Sequence, residues 1–209
     1  MRLPRHLAVL PLLLTVAAAR PAFAAPDVRI SEFMAGPARD WDGNGTFSSR
    51  DDEWIEIVNG GSAVADLTPY FLTDGDSIPR FGFTGTLASG AVLLVTGAES
   101  VTWERATTHP VFGLSLGNTG DKVLLWKVTG SDTTLVDGYT YKTQEAGSDR
   151  AVGRTADGTD WKLEDALNVY TGTTPPLGTG CPPTPGAVND CGITPVAHET
   201  WGRLKALYR

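Results

Sequence analysis

The chain has 209 residues, of which 24 are acidic and 17 basic, and its formal net charge at pH 7 is −7. Proteins that bind nucleic acid need a basic face for the phosphates, so this excess of acid argues against a nucleic-acid partner. The length suffices for one main domain with a real hydrophobic core, followed by a tail.

Residues 1–24 are typical of a cleaved secretory signal peptide. Arg2 and Arg5 precede an apolar stretch, residues 7–19, and the small residues Ala22 and Ala24 suit a cleavage site. That stretch is shorter than the roughly 20 residues of a membrane span, and no later stretch could serve as an anchor. We therefore expect a protein that is secreted, periplasmic or on the cell surface, with no membrane span.

From residue 28 onward, short apolar or β-branched runs alternate with turns rich in Gly, Asp, Asn and Thr, which predicts an all-β sandwich or barrel. No helical periodicity is evident before the C terminus. The predicted strands are residues 28–34, 54–59, 70–73, 80–83, 92–96, 123–128, 135–141, 151–154 and 160–163. Turns are expected at residues 59–61, 74–75, 120–121, 137–138 and 157–158, where Gly, Asn or Asp tolerates a left-handed backbone.

An acidic loop, residues 40–51, precedes the second predicted strand and has the spacing of a calcium-binding loop. The six ligand positions and the sharp-turn glycine would be Asp40, Asp42, Asn44, Gly45, Thr46 (through its main-chain carbonyl), Ser48 and Asp51. The final ligand is Asp rather than Glu, so Asp52 or Glu53 is an alternative closing residue. A strand rather than a helix follows, so we expect a loop that enters a β-sheet instead of an EF-hand. The competing interpretation is a solvated turn.

Three other motifs in the chain admit a functional interpretation. Asn44-Gly45-Thr46 is a glycosylation sequon, which matters only in a eukaryotic secretory host. Ser115 lies in a G-x-S-x-G motif, but a turn and a predicted strand follow it, whereas a nucleophile elbow requires a helix. Carboxylate pairs are frequent in so acidic a chain, so they give little support to a glycosidase. A small hydrolase is therefore the least favoured function.

Tryptophan side chains offer a further candidate surface. Trp41, Trp103 and Trp126 could line a face that binds sugar or peptide, although aromatic residues in a sandwich more often belong to the core. Trp54 and Trp161 are most simply explained as core residues.

The two cysteines, Cys181 and Cys191, lie in a segment rich in Thr, Pro and Gly. Because the signal peptide implies an oxidising compartment, we expect a disulfide rather than a metal or redox site. Beyond it, residues 193–209 change character: Thr200 could cap a short amphipathic helix with Trp201 and Leu204 on one face. This tail could be a sorting tag or a helix docked on the domain.

A set of segments occurs along the chain in the order "ISEFMA", "DEWIEIVN", "DLTPYFLTD", "FGFTGTLASGAVLLV", "LSLGNTGDKVLLW", "LVDGYTY", "DRAVGRTADGTDW" and "TPGAVN". Their order and spacing resemble the lamin tail domain family, in its secreted bacterial form. The resemblance implies an immunoglobulin-like β-sandwich over residues 25–192, and a non-catalytic module. Members of the family often carry a similar acidic loop before the strand that begins "DEW" here.

The sequence therefore predicts a secreted, non-enzymatic structural or interaction module, stabilised by one disulfide and by Ca²⁺ at the acidic loop. The partner would be a protein or a surface polysaccharide. The alternative is a carbohydrate- or cell-surface-binding module that uses exposed tryptophans.

Overall fold

The computed structural model describes residues 25–155 and 157–191, so the predicted signal peptide and the predicted tail helix lie outside the described residues. The described residues form eleven strands and one helix. In chain order they are β1 (Val28–Met34), β2 (Trp54–Asn59), β3 (Ala65–Asp66), β4 (Tyr70–Thr73), β5 (Pro79–Gly82), β6 (Thr86–Leu87), β7 (Val92–Thr96), α1 (Gly97–Ala106), β8 (Gly120–Thr129), β9 (Asp132–Lys142), β10 (Ala151–Arg154) and β11 (Trp161–Glu164).

Two antiparallel sheets form an immunoglobulin-like β-sandwich, as the sequence predicted. One sheet has five strands in the order β11-β10-β1-β2-β7, the other has four in the order β5-β4-β8-β9, and β3 pairs with β6 alone. Apolar residues of both sheets meet in one core, which includes Ile30, Ile57 and Val152 from the first sheet and Leu72 and Leu125 from the second. Alternation along the strands places these side chains inward, because successive residues of a strand point to opposite faces.

Most of the predicted strands are confirmed, with ends that shift by a few residues. Two differences are larger. The turn expected at Asp137-Gly138 is wrong, because both residues lie inside β9, beside a register shift opposite Leu125 and Trp126. A glycine within a strand often marks such an irregularity. The short strands β3 and β6 were not predicted from the sequence.

The helix α1 contradicts the expectation that no helix occurs before the C terminus. Its side chains lack an amphipathic pattern, so periodicity gave no signal. The helix begins with a capping box: the Thr96 side chain accepts the N–H of Glu99, and the Glu99 carboxylate accepts the N–H of Thr96. Such a box stabilises a helix start independently of any apolar stripe. No helix among the described residues is long and apolar enough to cross a membrane.

After β11 the chain returns along the same sheet. Leu163 forms a parallel bridge with Gly178, and residues 179–191 then cross the outer face of the five-stranded sheet. We call residues 179–191 the strap. The predicted disulfide between Cys181 and Cys191 is present, with the two Cα atoms 5.2 Å apart, and it closes most of the strap into a loop.

Candidate functional site

Three carboxylates of the acidic loop lie together. Oxygen atoms of Asp40, Asp42 and Asp52 are within 4.8 Å of one another, with Asp52 buried and the other two half-buried. Hard cations such as Ca²⁺ prefer several convergent oxygen ligands of this kind. The sequence left the closing residue open among three, and the structure brings Asp52 to the other two aspartates.

Asp52 organises the loop from its base. One of its oxygens accepts the main-chain N–H groups of Trp41, at 2.7 Å, and Asp42, at 3.0 Å, and the other accepts that of Ser48, at 2.7 Å. Because Asp52 lies two residues before β2, these bonds tie Trp41, Asp42 and Ser48 to the chain that leads into that strand. The carboxylate therefore has a structural role whether or not a cation is present.

The tip of the loop is a series of tight turns. Asp40 accepts the N–H groups of Gly43 and Gly45, and Asn44 accepts the N–H of Thr46 through its side-chain carbonyl. Both glycines have positive φ, +74° and +88°, in the region that favours glycine. Both oxygens of Asp40 and of Asp42, and the Asp52 oxygen that binds Ser48, each accept a single N–H and keep a second lone pair, so the donor set fits a Ca²⁺ ion.

Other predicted ligands face elsewhere. The Asp51 carboxylate pairs with Arg50 at 2.8 Å, and this hydrogen bond lowers the pKa of Asp51. Glu53 accepts the N–H of Leu116 at 3.0 Å, and burial raises the pKa of Glu53 to about 8. The Ser48 hydroxyl accepts the N–H of Asp51 at 3.2 Å. The carboxylate cluster is thus built from Asp40 and Asp42, at positions 1 and 3 of the loop, and from Asp52, the residue that follows the loop.

The outer face of the four-stranded sheet carries a second candidate site. Gly82, Phe71, Trp126 and Leu135 are paired in register across all four strands and form a transverse row. The rings of Phe71 and Trp126 are nearly parallel, 14° apart, and the Trp126 indole N–H donates to the Thr73 hydroxyl at 3.0 Å. This bond holds the indole in one orientation.

Trp103, from α1, lies over the end of the same row. A Cβ atom at Gly82 would be only 2.9 Å from the Trp103 ring, so the glycine is what lets the indole approach the sheet. His109 stacks on Trp103 with ring centroids 4.6 Å apart. Together they wall a groove of about 640 Å³. Its other lining residues are Asp66, Thr68, Pro69, Tyr70, Phe71, Pro79, Gly82 and Val128.

The remaining tryptophans lie apart from this groove. Trp41 packs against the fully buried Trp54, and its indole N–H donates to Asp149. Trp161 is half-buried against Tyr139 and Phe33. Of the three tryptophans considered for a binding face, the structure therefore places Trp103 and Trp126 on one face and Trp41 at the acidic loop.

Ser115 lacks the surroundings of a nucleophile elbow. Its φ is +59°, but a turn and strand β8 follow it instead of a helix. His109 is engaged with Trp103 and with the Thr107 hydroxyl, and His198 lies outside the described residues.

Two clusters of charged residues with buried members were not identified from the sequence. Arg80 is 2% exposed and pairs with Asp74 and Asp76, with Glu104 3.7 Å away. Three further acidic residues, Glu32, Glu56 and Glu164, are buried on the outer face of the five-stranded sheet under the strap. All three occupy outward-facing positions of their strands, where a side chain would normally be exposed to solvent. They are buried because the strap covers them.

A comparison with protein families matches residues 21–143 to the Lamin Tail Domain model. The matched segment is more than half of the chain. The searches for a similar curated protein and for a similar solved structure found no match. Strands β10 and β11 and the strap follow the matched region and complete the five-stranded sheet and its cover. The family is immunoglobulin-like and generally non-catalytic. The order of segments, the sandwich and the family match together show that this chain belongs to the lamin tail domain family.

Proposed function

We propose that this protein is an exported, non-enzymatic interaction module whose acidic loop binds Ca²⁺. The observation that carries the calcium site is the convergence of the Asp40, Asp42 and Asp52 carboxylates within 4.8 Å. Three like charges at this distance repel one another, and a divalent cation would offset that repulsion. The ion would hold the loop against the start of β2, so its effect would be structural.

The remaining predicted ligands would complete the coordination from the loop itself. Asn44 and Ser48 offer side-chain oxygens and Thr46 its main-chain carbonyl, as the spacing predicts. Asp51 is paired with Arg50, so we assign the closing position to Asp52. Export rests on the predicted signal peptide, and it would provide the calcium and the oxidising conditions that this arrangement suits.

Calcium titration of the full chain tests this proposal. Ca²⁺ should raise the melting temperature and EDTA should lower it, because an ion that binds only the folded state stabilises it. Asp42→Asn should abolish the shift. Asp157→Asn is the matched control, since Asp157 also accepts a main-chain N–H, that of Thr159, in an exposed turn but lies outside the cluster. The absence of any shift, together with no heat of binding at about millimolar Ca²⁺, would refute the site.

A second candidate function is the binding of a neutral saccharide on the aromatic face. It is favoured by the transverse row, where Phe71 and Trp126 present parallel rings beside the groove under Trp103. Aromatic faces pack well against the apolar C–H face of a sugar, and Asp66, Thr68 and His109 supply polar groups at the rim. The acidic chain would repel an anionic polymer, so we expect an uncharged one.

Glycan-array binding or co-sedimentation with insoluble polysaccharide tests this second function. Trp126→Ala and Trp103→Ala should each abolish retention, whereas Phe47→Ala should not, since Phe47 is an exposed aromatic residue at the acidic loop. Equal retention of all three variants would refute binding at this face.

A further inference from the structure

The outer face of the five-stranded sheet carries three buried glutamates that we call the glutamate band: Glu32 of β1, Glu56 of β2 and Glu164 of β11. Their exposed fractions are 0%, 0% and 1%. Glu32 is paired with Glu56 across one strand boundary and with Gly153 of β10 across the other. A Cβ atom at Gly153 would lie 3.4 Å from both Glu32 and Glu164, so these two side chains converge over the glycine.

The strap covers this band and makes hydrogen bonds to every member of it. Thr184 donates its main-chain N–H and its hydroxyl to Glu32, and Gly186 donates its N–H to Glu56 at 2.8 Å. The Thr179 hydroxyl lies 3.2 Å from a Glu164 oxygen. The Asn189 amide also holds the strap, by donating to the main-chain oxygens of Ser31 and Arg154, each at 3.0 Å. The attachment of the strap to the sheet therefore combines this neutral anchor with bonds to three ionisable groups.

Positive charge near the band is scarce. Among the described residues, Lys162 provides an ammonium group at the band, 2.9 Å from a Glu164 oxygen. One oxygen of Glu56 is buried with no hydrogen-bond partner in the described part of the chain. The other charged groups around the band have partners elsewhere. Arg29 pairs with Asp27, Arg154 pairs with Asp137, and Asp165 accepts the N–H groups of Tyr170 and Gly180. Asp190 lies at the exposed end of the strap.

Three buried carboxylates thus face one ammonium, and burial of unpaired anions is costly. We propose that two members of the glutamate band, Glu32 and Glu56, hold the strap in their protonated form, and that loss of these protons in mildly alkaline solution releases the strap while the disulfide keeps its loop closed. The protein would then have two forms of this surface, one covered and one with an exposed acidic face. This inference is independent of the calcium and saccharide proposals.

The direction of the effect follows from the pKa values of the band. Burial raises the pKa of Glu32 to about 8, with hydrogen bonds from Thr184 opposing the shift, and burial raises the pKa of Glu56 to about 7. In a released strap both groups would return towards the ordinary value of 4.5. Docking is then strongest below that value and is lost as pH rises through the raised pKa values.

Hydrogen exchange of the full chain, measured by mass spectrometry across this range, tests the proposal. After correction for the intrinsic rate, protection of the strap amides around Thr184 and Gly186 should fall by at least about tenfold per pH unit from about pH 5 to about pH 8, because each of the two glutamates contributes about tenfold per unit where it titrates, and should then level off. Amides of β8 serve as the internal control and should keep their protection. Strap protection that stays constant over the whole range would overturn the proposal.

A variant separates the glutamate band from general alkaline destabilisation. In the Glu32→Gln variant, the side chain at position 32 cannot ionise. Its strap amides should therefore stay protected at about pH 9, and their protection should depend less steeply on pH. Asp132→Asn removes an exposed carboxylate at the start of β9 and should behave as the unmodified chain. If Glu32→Gln keeps the full pH dependence, the proposal is wrong. Should that variant not fold, Glu56→Gln and the titration of the unmodified chain decide the question.

Discussion

Asp52 accepts the main-chain N–H of Trp41 at 2.7 Å, and this bond ties the acidic loop to the residues that immediately precede β2. The same carboxylate is a member of the candidate calcium site. A residue with both roles raises the question of which effects of a substitution come from the lost ion and which from the lost hydrogen bonds.

Asp52→Ala should lower the free energy of unfolding by about 2–4 kcal/mol even in EDTA, because three N–H groups lose their acceptor. Asp42→Ala should cost less than about 1 kcal/mol in EDTA, since its carboxylate accepts only from Asn44. Urea denaturation of both variants with and without Ca²⁺ measures the difference. Equal losses in EDTA would show that Asp52 has no special structural role.

Gly97→Ala should destabilise the protein, although alanine is normally the better helix residue by about 1 kcal/mol. A Cβ atom at this position would lie 1.9 Å from the main-chain oxygen of Arg50, so the loop or the helix must shift. We expect a loss of about 1–3 kcal/mol, as for other overpacked sites. Gly117→Ala is the control, because its Cβ would meet no atom nearer than 3.4 Å. Thermal unfolding of both variants gives the comparison.

Arg80→Met should cost about 3–5 kcal/mol, because it leaves the buried carboxylates of Asp74 and Glu104 without their cation. Arg105→Met, on the exposed side of α1, should change stability by no more than about 0.5 kcal/mol. The triple variant with Asp74→Asn and Glu104→Gln should recover part of the loss in denaturant unfolding. Failure of this rescue would indicate that the Arg80 stem, rather than its charge, provides the stability.

Replacing Cys181 and Cys191 together by serine should lower the free energy of unfolding by about 2–3 kcal/mol, the loop-entropy value for a short closed loop. The measurement is the urea midpoint with and without a reducing agent. Reductant should lower the midpoint of the unmodified chain and leave that of the double variant unchanged. A double variant as stable as the unmodified chain would mean that strap contacts alone hold the segment.

Sequence patterns predicted the strands well and the helix poorly, for a physical reason. β2 was evident because Ile55 and Ile57 alternate with Glu56, and its bounds are confirmed. Helix α1 has a cap but no apolar stripe, and its buried residues include Ser100 and Glu104, so periodicity could not reveal it. A search for the capping pair Thr96 and Glu99 would have found it.

The acidic loop shows the same division at the level of a site. Spacing alone identified Asp40 and Asp42 as neighbours, because alternate residues of a tightly turned loop can converge. Spacing could not choose among Asp51, Asp52 and Glu53. That choice depends on Arg50, which pairs with Asp51, and on Leu116, a residue distant in sequence, whose N–H binds Glu53.

For this protein, local sequence determined the strand-rich fold, the turn-forming acidic loop and the disulfide, since each depends on alternation, turn chemistry or a single cysteine pair. Tertiary structure decided which polar residues are buried. Glu32, Glu56 and Glu164 occupy outward positions that would meet water on an open sheet. They are buried because the chain returns after β11 and lays the strap across them, a contact between residues more than 100 positions apart for Glu32 and Glu56.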